Sequence, residues 1–318
     1  MTTTIRQLIG TLSLLCAAFA LAATATAPAR AGPAYGAPQT LDRPGWAQTQ
    51  LWDVNDGRQV VGTSFSADGS ISAGFVLNNG SYTDIGPAGA LYSGATGITN
   101  SGLIVGYYGD GDPMAPTDHA FLYENGSYTE FKLPGATNTF LRGVSSDGRF
   151  LTGSWDDGTS GRIFAFDRQT NRRTDIKGSI VQGVSVQGLV VGSLLNVTSH
   201  AFTFNLNTQA TTEVIATDAG NRPRYRGIND SGLITGFDSG SGKAFVGEPG
   251  HWTVFDAPAG MASIVGYGLN NQGDLVGFTI DSARLVHGFY AVPVPEPAQW
   301  WLVGLGMAAL PLLRRLSR

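Results

Sequence analysis

A ten-residue phrase recurs along the chain at nearly regular intervals. It reads GITNSGLIVG in its clearest copy, and a looser first copy reads DVNDGRQVVG. Apolar runs lie on both sides of an Asn/Asp/Ser-Gly turn in each copy, which is the pattern of a β-hairpin. The leading glycines of the later copies are 46, 40, 44 and 41 residues apart, at Gly97, Gly143, Gly183, Gly227 and Gly268.

A second phrase lies between the copies of the first. Its forms include AGFVLNNGSYTDIG, HAFLYENGSYTEF and HAFTFNLNTQATTEV. Two short strands again flank a polar turn, and Asn79-Gly80 and Asn125-Gly126 predict type I′ turns. Two hairpins in each unit make four strands in about 40–46 residues, which is the span of a propeller blade.

Composition favours the same all-β interpretation. The 318 residues include 44 glycines and only 14% charged residues, and glycine is unfavourable inside helices. Strands such as LIVGYY are apolar on nearly every residue, which suits sheets covered on both faces. We therefore predict a single six-bladed β-propeller of four-stranded repeats over residues 35–292. An open stack of β-hairpins and a pair of β-sandwich domains are the alternatives.

The sixth unit ends early, at Val292, and lacks a fourth strand. The segment QTLDRPG, which begins at Gln39, resembles the ends of the other units. In this alignment the corresponding threonines are spaced 43, 46 and 45, at Thr40, Thr83, Thr129 and Thr174. We predict that the first strand of the mature chain completes the last blade, which would remove the exposed edges of an open array.

Residues 1–31 have the pattern of a secretory signal peptide. Arg6 precedes an apolar stretch from Leu8 to Ala23, and small-x-small cleavage sites follow. The single cysteine of the chain, Cys16, lies in this leader. The exported domain is therefore expected to have no thiol and no disulfide, so that its stability depends on core burial.

The last 25 residues, 294–318, combine three features in order. Pro295-Glu296-Pro297 precedes an apolar run of 16 residues, and Arg314-Arg315 follows it. As a short C-terminal apolar helix this run would span about 24 Å, less than the ~30 Å hydrocarbon core of a bilayer. A slightly short transmembrane helix, with its arginines on the cytoplasmic side, is one interpretation.

This segment resembles the PEP-CTERM sorting signal. The resemblance implies recognition and cleavage by an exosortase-type membrane enzyme in a Gram-negative bacterium that produces extracellular polysaccharide. The sorting signal would then comprise Pro295, Glu296, Pro297, Arg314 and Arg315. It would anchor the chain in the inner membrane before processing, and the product would be secreted or held at the cell surface.

The second phrase resembles the HAF-type repeat, a proposed extracellular repeat, most clearly at His119-Ala120-Phe121 and His200-Ala201-Phe202. Little known activity comes with this resemblance.

Charge excludes one class of partner. Without residues 1–31 and 298–318, 15 basic residues face 24 acidic ones, a net charge of −9. General nucleic-acid binding requires an excess of Lys and Arg, so no nucleic-acid partner is expected.

Histidine is a common metal ligand and base, and three of the four histidines occupy equivalent places in units two, four and six. They are His119, His200 and His287, whereas other units carry Ala73, Phe164 or Lys243 there. Equivalent places around a ring are kept apart unless they face the central channel. We therefore favour a packing or hydrogen-bonding role and expect no metal site.

The carboxylates give little sign of catalysis. Asp56, Asp147 and Asp230 lie in the hairpin turn of the first phrase, where Asp stabilises the backbone. Asp110-Gly111-Asp112, with Asp118 nearby, is a weak calcium candidate that is more typical of a solvated loop. The sequence has no Gly-x-Ser-x-Gly elbow and no phosphate-binding loop, so we expect no cofactor.

Two basic clusters interrupt the acidic background, at Arg172-Arg173 and from Arg222 to Arg226. Arginine beside tyrosine could engage the carboxylates of acidic sugars, but a solvated loop with scattered ion pairs is favoured. Trp155 and Trp252 fall within repeat phrases and are predicted to be core or blade-interface residues.

Two functions fit these observations. The first is an exported, non-enzymatic protein that binds or organises exopolysaccharide or other matrix components. The alternative is an exopolysaccharide-active hydrolase or lyase whose active site lies over the propeller channel. A glycosidase would require two carboxylates at a suitable separation, and no such pair is marked in the sequence.

Overall fold

The structure, a computed structural model, describes residues 33–112, 115–195, 200–215, 217 and 220–294. The leader with Cys16 and the sorting segment from Pro295 onwards lie outside the described residues, as does the side chain of Asp112. The predictions made for them remain predictions. Within the described part of the chain no helix is long and apolar enough to cross a bilayer.

Twenty-four strands form six antiparallel sheets of four strands each, and the described residues contain no helix. The bounds of the first three complete blades are β2 (Gln48–Val54), β3 (Val60–Phe65), β4 (Ser72–Asn78) and β5 (Ser81–Ile85); β6 (Tyr92–Ile98), β7 (Ile104–Asp112), β8 (Ala115–Glu124) and β9 (Ser127–Phe131); and β10 (Asn138–Val144), β11 (Phe150–Asp156), β12 (Gly161–Asp167) and β13 (Arg172–Ile176).

The remaining blades follow the same order. They are β14 (Ile180–Val184), β15 (Leu189–Leu194), β16 (His200–Asn205) and β17 (Ala210–Val214); β18 (Pro223–Ile228), β19 (Ile234–Asp238), β20 (Lys243–Glu248) and β21 (His251–Phe255); and β22 (Met261–Leu269), β23 (Leu275–Asp281) and β24 (Val286–Ala291) with β1 (Gln39–Thr40). The predicted all-β, six-bladed propeller of four-stranded repeats is confirmed, and neither alternative architecture is present.

The hairpin turns follow the sequence signals. Asn79 and Asn125 have φ values of 48° and 51°, and the glycines that follow them, Gly80 and Gly126, have φ values of 80° and 81°. Two consecutive residues with positive φ are what a type I′ turn requires, and Asn-Gly adopts this conformation with little strain. The predicted turns are therefore confirmed.

A glycine–phenylalanine pair lies at the centre of every blade. A second-strand glycine is directly opposite a third-strand phenylalanine in all six sheets, and each of these phenylalanines is fully buried. A Cβ on Gly62 would lie 2.5 Å from the ring of Phe75, so a larger residue would displace the ring. The pairs are Gly62–Phe75, Gly106–Phe121, Gly153–Phe164, Gly192–Phe202, Gly236–Phe245 and Gly277–Phe289.

The N-terminal segment pairs with the last strand of the sixth sheet. In β1, Gln39 is opposite Tyr290 and Thr40 is opposite Phe289. In the other blades the residue opposite the buried phenylalanine follows the repeat threonine, as Glu130 follows Thr129. Gln39 therefore takes the place of that threonine, and the alignment of Thr40 with Thr83, Thr129 and Thr174 is wrong by one residue. In this register Leu41 packs against the core cluster that contains Phe75.

Candidate functional site

The inner strand of every blade contains a β-bulge at the same point, just before the leading residue of the first phrase. A bulge turns one side chain out of the regular alternation of the strand. One bulge residue from each blade lines a cavity of about 40 Å³ in the central channel. These six residues are Trp52, Thr96, Arg142, Gln182, Arg226 and Tyr267.

The glycine after the bulge lets neighbouring blades approach closely. A Cβ on Gly143 would lie 2.1 Å from the carbonyl oxygen of Gln182, and one on Gly227 would lie 2.2 Å from that of Tyr267. Both distances are far shorter than real contacts of a Cβ atom. Glycine is therefore required at these two positions, where adjacent inner strands meet around the channel.

Asp53 stands where the other five blades have this glycine. Its carboxylate accepts hydrogen bonds from the backbone amides of Val54, at 2.9 Å, and of Ile98 in the next blade, at 3.0 Å. The side chain is exposed only towards the narrow channel, and burial raises its pKa to about 7, although the two amides oppose this shift. Asp53 therefore loses its proton at a much higher pH than an ordinary aspartate does.

Arg226 is the most enclosed charged group in the channel cavity. The residue is only 5% exposed, and its Nε and Nη1 atoms have no hydrogen-bond partner. Its guanidinium carbon lies 5.4 Å from the centre of the Tyr267 ring and 5.3 Å from that of Phe237. Aromatic faces attract a guanidinium, but they leave its in-plane N–H groups free to donate.

Two further arginines accompany Arg226. Arg142 occupies the bulge two blades away, and Arg224 lies two residues earlier on β18, with a buried Nε that also lacks a partner. Burial, followed by repulsion from Arg226, lowers the pKa of Arg224. Burial is also the main cause that lowers the pKa of Arg142, where Arg226 adds to the effect and the nearby Tyr107 and Tyr267 oppose it.

The cluster from Arg222 to Arg226 is therefore not a solvated loop, and that interpretation is wrong. Pro223 begins β18, an inner strand, so the chain runs beside the channel. Tyr225 is fully buried and packs against Phe245, Arg226 lines the channel cavity, and Arg224 lies close enough to Arg226 to be affected by its charge. Arg222, before the strand, is exposed, whereas the bulge turns Arg226 towards the channel.

The turns of the first phrase surround one mouth of the channel. The third residue of each phrase is buried and accepts a hydrogen bond from a backbone amide across its own turn. Where this residue is asparagine, its side-chain amide also donates to the next blade. Asn229 reaches the carbonyl of Asn270 at 3.0 Å, and Asn270 reaches that of Asn55 at 3.1 Å.

A second ring of hydrogen bonds lies outside the first, and Asp56 and Asp230 belong to it. The side-chain nitrogen of Asn271 donates to Oδ2 of both aspartates, at 2.9 Å each. Asn100 also donates to Asp56, at 2.7 Å, and Ser146 donates to Asp230, at 2.6 Å. These two carboxylates therefore connect the turns of different blades, in addition to the predicted role within their own turns.

Asp147 behaves differently from the other two turn aspartates. It lies one position later in its phrase and accepts hydrogen bonds from the Ser145 hydroxyl, at 2.6 Å, and the Arg149 amide, at 3.0 Å. Both contacts are local to the turn. The turn role predicted for Asp147 is confirmed.

The repeat histidines pair with carboxylates on neighbouring strands. His119 contacts Glu130 at 2.9 Å and Asp110 at 3.0 Å, and His287 contacts Asp42 at 2.8 Å. Partial burial pulls the pKa of His119 down, but its two carboxylate contacts together raise it above the ordinary value. The hydrogen bond to Asp42 raises the pKa of His287. The predicted hydrogen-bonding role of these two histidines is confirmed.

The insertion around Asp110 extends a hairpin, and describing it as a solvated loop is wrong. Strand β7 continues to Asp112, and β8 begins at Ala115. Asp110 pairs with His119, while Asp118 accepts a hydrogen bond from the Tyr92 hydroxyl. No group of three or more His, Cys, Asp or Glu residues that could hold a metal ion occurs among the described residues.

A larger groove lies outside the channel, between the second and third blades. It has a volume of about 730 Å³ and is lined by Phe131 and Phe166 together with Lys132, Arg168 and Arg173. The two phenylalanine rings meet edge to face at 5.2 Å. Glu130 is the one acidic residue of the lining, so the groove is locally cationic in an acidic body.

Arg172 and Arg173 are neighbours on β13 but line two different grooves. Arg173 lines the large groove, where its guanidinium lies 4.3 Å from the centre of the Trp155 ring and pairs with Asp175 at 3.0 Å. Arg172 lines a smaller groove, of about 350 Å³, between blades three and four. Successive side chains of a strand point to opposite faces, which separates them.

The core or interface positions predicted for Trp155 and Trp252 are confirmed. Trp155 is 5% exposed and belongs to the core cluster between blades two and three, while Trp252 packs on Tyr225 and Phe245.

No protein-family model and no curated protein matches this chain. Similar solved structures include virginiamycin B lyase from Staphylococcus aureus, with 13% identity over 82% of this chain and 89% of that one and a TM-score of 0.45. The β-propeller domain of the trilobed protease from Pyrococcus furiosus has 11% identity over 78% of this chain and 96% of that one, with a TM-score of 0.45.

A luciferin-regenerating enzyme has 10% identity over 81% of this chain and 96% of that one, with a TM-score of 0.49. The likeness to these three proteins concerns the fold alone, and their activities carry no argument for this chain. The number of blades follows from the strand pairing described above.

Proposed function

We propose that this chain is an exported, non-enzymatic propeller that binds or organises acidic exopolysaccharide. The observation that carries the proposal is the groove between blades two and three. Its aromatic floor, of Phe131 and Phe166, suits the apolar face of a sugar ring, and Lys132, Arg168 and Arg173 suit sugar carboxylates. A volume of about 730 Å³ is within the usual range for organic ligands.

The cations of this groove are held in place. Arg168 donates to the carbonyl of Gly148 at 2.9 Å, and Arg173 is fixed by Trp155 and Asp175. Preorganised side chains lose less conformational entropy when a ligand binds. Lys132 is exposed and remains free to follow the ligand.

Export and sorting are part of the proposal. Residues 1–31 would direct secretion, and Pro295-Glu296-Pro297 with Arg314 and Arg315 would present the chain to an exosortase-type enzyme after transient anchoring in the inner membrane. Strand-like contacts hold the chain up to the start of this segment, since the Val294 amide donates to the carbonyl of Ala34 at 2.9 Å. Cleavage beyond that point would leave the propeller intact, as this proposal requires.

Completion of the sixth blade by the mature N-terminal strand also belongs to the proposal. Asp42, just after β1, supports it because its carboxylate accepts a hydrogen bond from the amide of Gly288, at 2.9 Å, besides pairing with His287. Such closure would protect the edge of the last sheet in a protein without disulfides.

The enzyme alternative has less support. Asp56 and Asp230 face the same amide nitrogen at the channel mouth, but their oxygens are already engaged by side chains and backbone amides of other blades. A general acid or nucleophile must be free to meet a substrate. The channel cavity beyond them, of about 40 Å³, is too small for a sugar ring.

A glycan array with the purified full-length protein tests the binding proposal. We expect retention on uronic-acid polysaccharides and a loss of about tenfold with Arg173→Ala. Arg172→Ala is the matched control, because this neighbour on the same strand lines the other groove. Equal loss with both variants, or no glycan bound by the wild type, would contradict the proposal.

Processing is tested separately in a host that carries an exosortase. Glu296→Ala together with Pro297→Ala should leave the chain at its unprocessed mass in the membrane fraction. Substitution of Glu248, an acidic residue on the surface of blade five, is the control and should leave processing unchanged. Normal processing of the double variant would exclude the sorting role.

A further inference from the structure

We propose that the central channel binds a small oxyanion, a carboxylate, phosphate or sulfate group, held by the guanidinium groups of Arg142 and Arg226 with Arg224 beside them. This site is independent of the outer groove, and the proposal does not depend on polysaccharide binding. It follows from hydrogen bonding, charge and size at the level of the bulges.

Hydrogen bonding is the first argument. A buried donor that lacks a partner is unfavourable by roughly 1–3 kcal/mol, and by more when it is charged. Arg226 has two such nitrogens, and Arg224 has one. An oxyanion accepts hydrogen bonds from guanidinium groups in the geometry that arginine favours.

Charge is the second argument. None of the ion pairs among the described residues involves Arg142, Arg224 or Arg226. Asp53, the carboxylate at this level, is engaged by backbone amides and is partly neutral near pH 7. Like charges enclosed together without a counter-ion are strongly unfavourable, and an anion among them would relieve the repulsion.

Size is the third argument, and it limits the ligand. A water molecule needs about 10–15 Å³ of such space, so a cavity of about 40 Å³ holds a group of a few heavy atoms. A carboxylate or a tetrahedral oxyanion fits this space, whereas a sugar ring does not. Tyr267 and Thr96 also line this cavity.

Thermal unfolding of the purified full-length protein in the presence of single anions tests the site. The probes are sodium phosphate, sulfate, acetate and formate, each at a constant ionic strength set with sodium chloride. We expect at least one oxyanion to raise Tm by about 5 °C or more at a hundredfold excess over its Kd, while chloride alone does not. A response limited to phosphate or sulfate identifies a free inorganic anion, and a response to acetate and formate identifies a carboxylate.

Substitutions of the channel arginines test whether the shift in Tm arises from binding in the channel. Arg226→Met removes the donors and keeps much of the volume, so it should abolish the shift. Arg226→Lys keeps the charge and should weaken binding about tenfold or more, because lysine lacks the planar fork. Arg162→Met is the matched control, since Arg162 stacks on Trp155 at the outside of blade three.

The same measurements can overturn the proposal. If no oxyanion shifts Tm more than chloride does, the unpaired donors bind only water and the site does not exist. An equal shift in the wild type and Arg142→Met would place the anion elsewhere. Arg142→Met and Arg226→Lys keep the test decisive even if Arg226→Met does not fold.

Discussion

The carboxylate of Asp53 in the first blade accepts a hydrogen bond from the backbone amide of Ile98 in the second, at 3.0 Å. In the other five blades a glycine occupies the position of Asp53. There the neighbouring inner strand lies close to the glycine, which has no side chain that could bridge the two blades. This one departure from the repeat adds a titrating group to the wall of the channel.

We predict that Asp53 makes stability depend on pH near neutrality. Burial raises its pKa to about 7, so its contribution to stability is fully present below pH ~4 and is lost as the pH rises through about 7. Asp53→Asn should therefore gain stability over the wild type between pH 5 and pH 8, by about 2 kcal/mol. Urea unfolding at both pH values measures the difference, and a gap that is the same at pH 5 and pH 8 would refute the assignment.

A second prediction concerns the glycines where inner strands meet. Gly227→Ala would place a Cβ 2.2 Å from the carbonyl oxygen of Tyr267, and two backbones would have to separate. We expect the free energy of unfolding to fall by about 3 kcal/mol. Chemical denaturation measures this loss.

Gly161→Ala is the matched control for this change. No atom lies within 4 Å of a Cβ at Gly161, an exposed residue at the start of the third strand of blade three, so the effect of Gly161→Ala should stay within about 0.5 kcal/mol. Equal effects of the two substitutions would show that crowding between blades is not what selects glycine.

Much of this architecture could be predicted because it repeats. Asparagine turns, alternating hairpins and a period of 40–46 residues depend on local backbone preferences. They could be recognised because they recur in six copies. The alignment of Thr40 was wrong by one residue because β1 has only two residues and lacks a partner hairpin to fix its register.

The residues that line the channel could not be recognised from the repeat pattern, because the residue type at their position varies between the repeats. Arg142 and Arg226 each precede a leading glycine of the first phrase, and five different residue types occupy that position in the six blades. The repeat pattern depends on what the copies share, whereas the bulge turns towards the channel a position at which they vary. A comparison of the copies at that position would have found all six bulge residues.

A third prediction concerns the outer ring at the channel mouth. Asn271→Asp would replace a donor that bridges Asp56 and Asp230 by a third carboxylate. Like charges at hydrogen-bond distance repel, so Tm at pH 7 should fall by several degrees and recover as the pH is lowered below about 4.

Asn271→Ala separates repulsion from the loss of hydrogen bonds. It removes the bridging amide without adding charge, so its Tm should lie between those of the wild type and Asn271→Asp at pH 7. An alanine variant as unstable as the aspartate variant would mean that repulsion contributes nothing.

The pairing of His287 with Asp42 gives the fourth prediction, because Asp42 belongs to the N-terminal segment. The raised pKa of His287 means that its contribution to stability is fully present below pH ~6.5 and is lost as the pH rises through the value in the folded protein. Asp42→Asn should therefore destabilise the protein at pH 6, by up to about 1 kcal/mol because the pair is partly exposed, and less at pH 8.5.

Two controls test whether the loss of stability in Asp42→Asn is electrostatic: added salt, and a second histidine–carboxylate pair. The difference at pH 6 should shrink in 1 M sodium chloride, since a partly exposed pair is screened. Glu130→Gln should show the same pH trend through His119 in the second blade. A loss in Asp42→Asn that does not change with pH would trace instead to its hydrogen bond from the amide of Gly288, and the ionic part of the contact between β24 and the N-terminal segment would then be negligible.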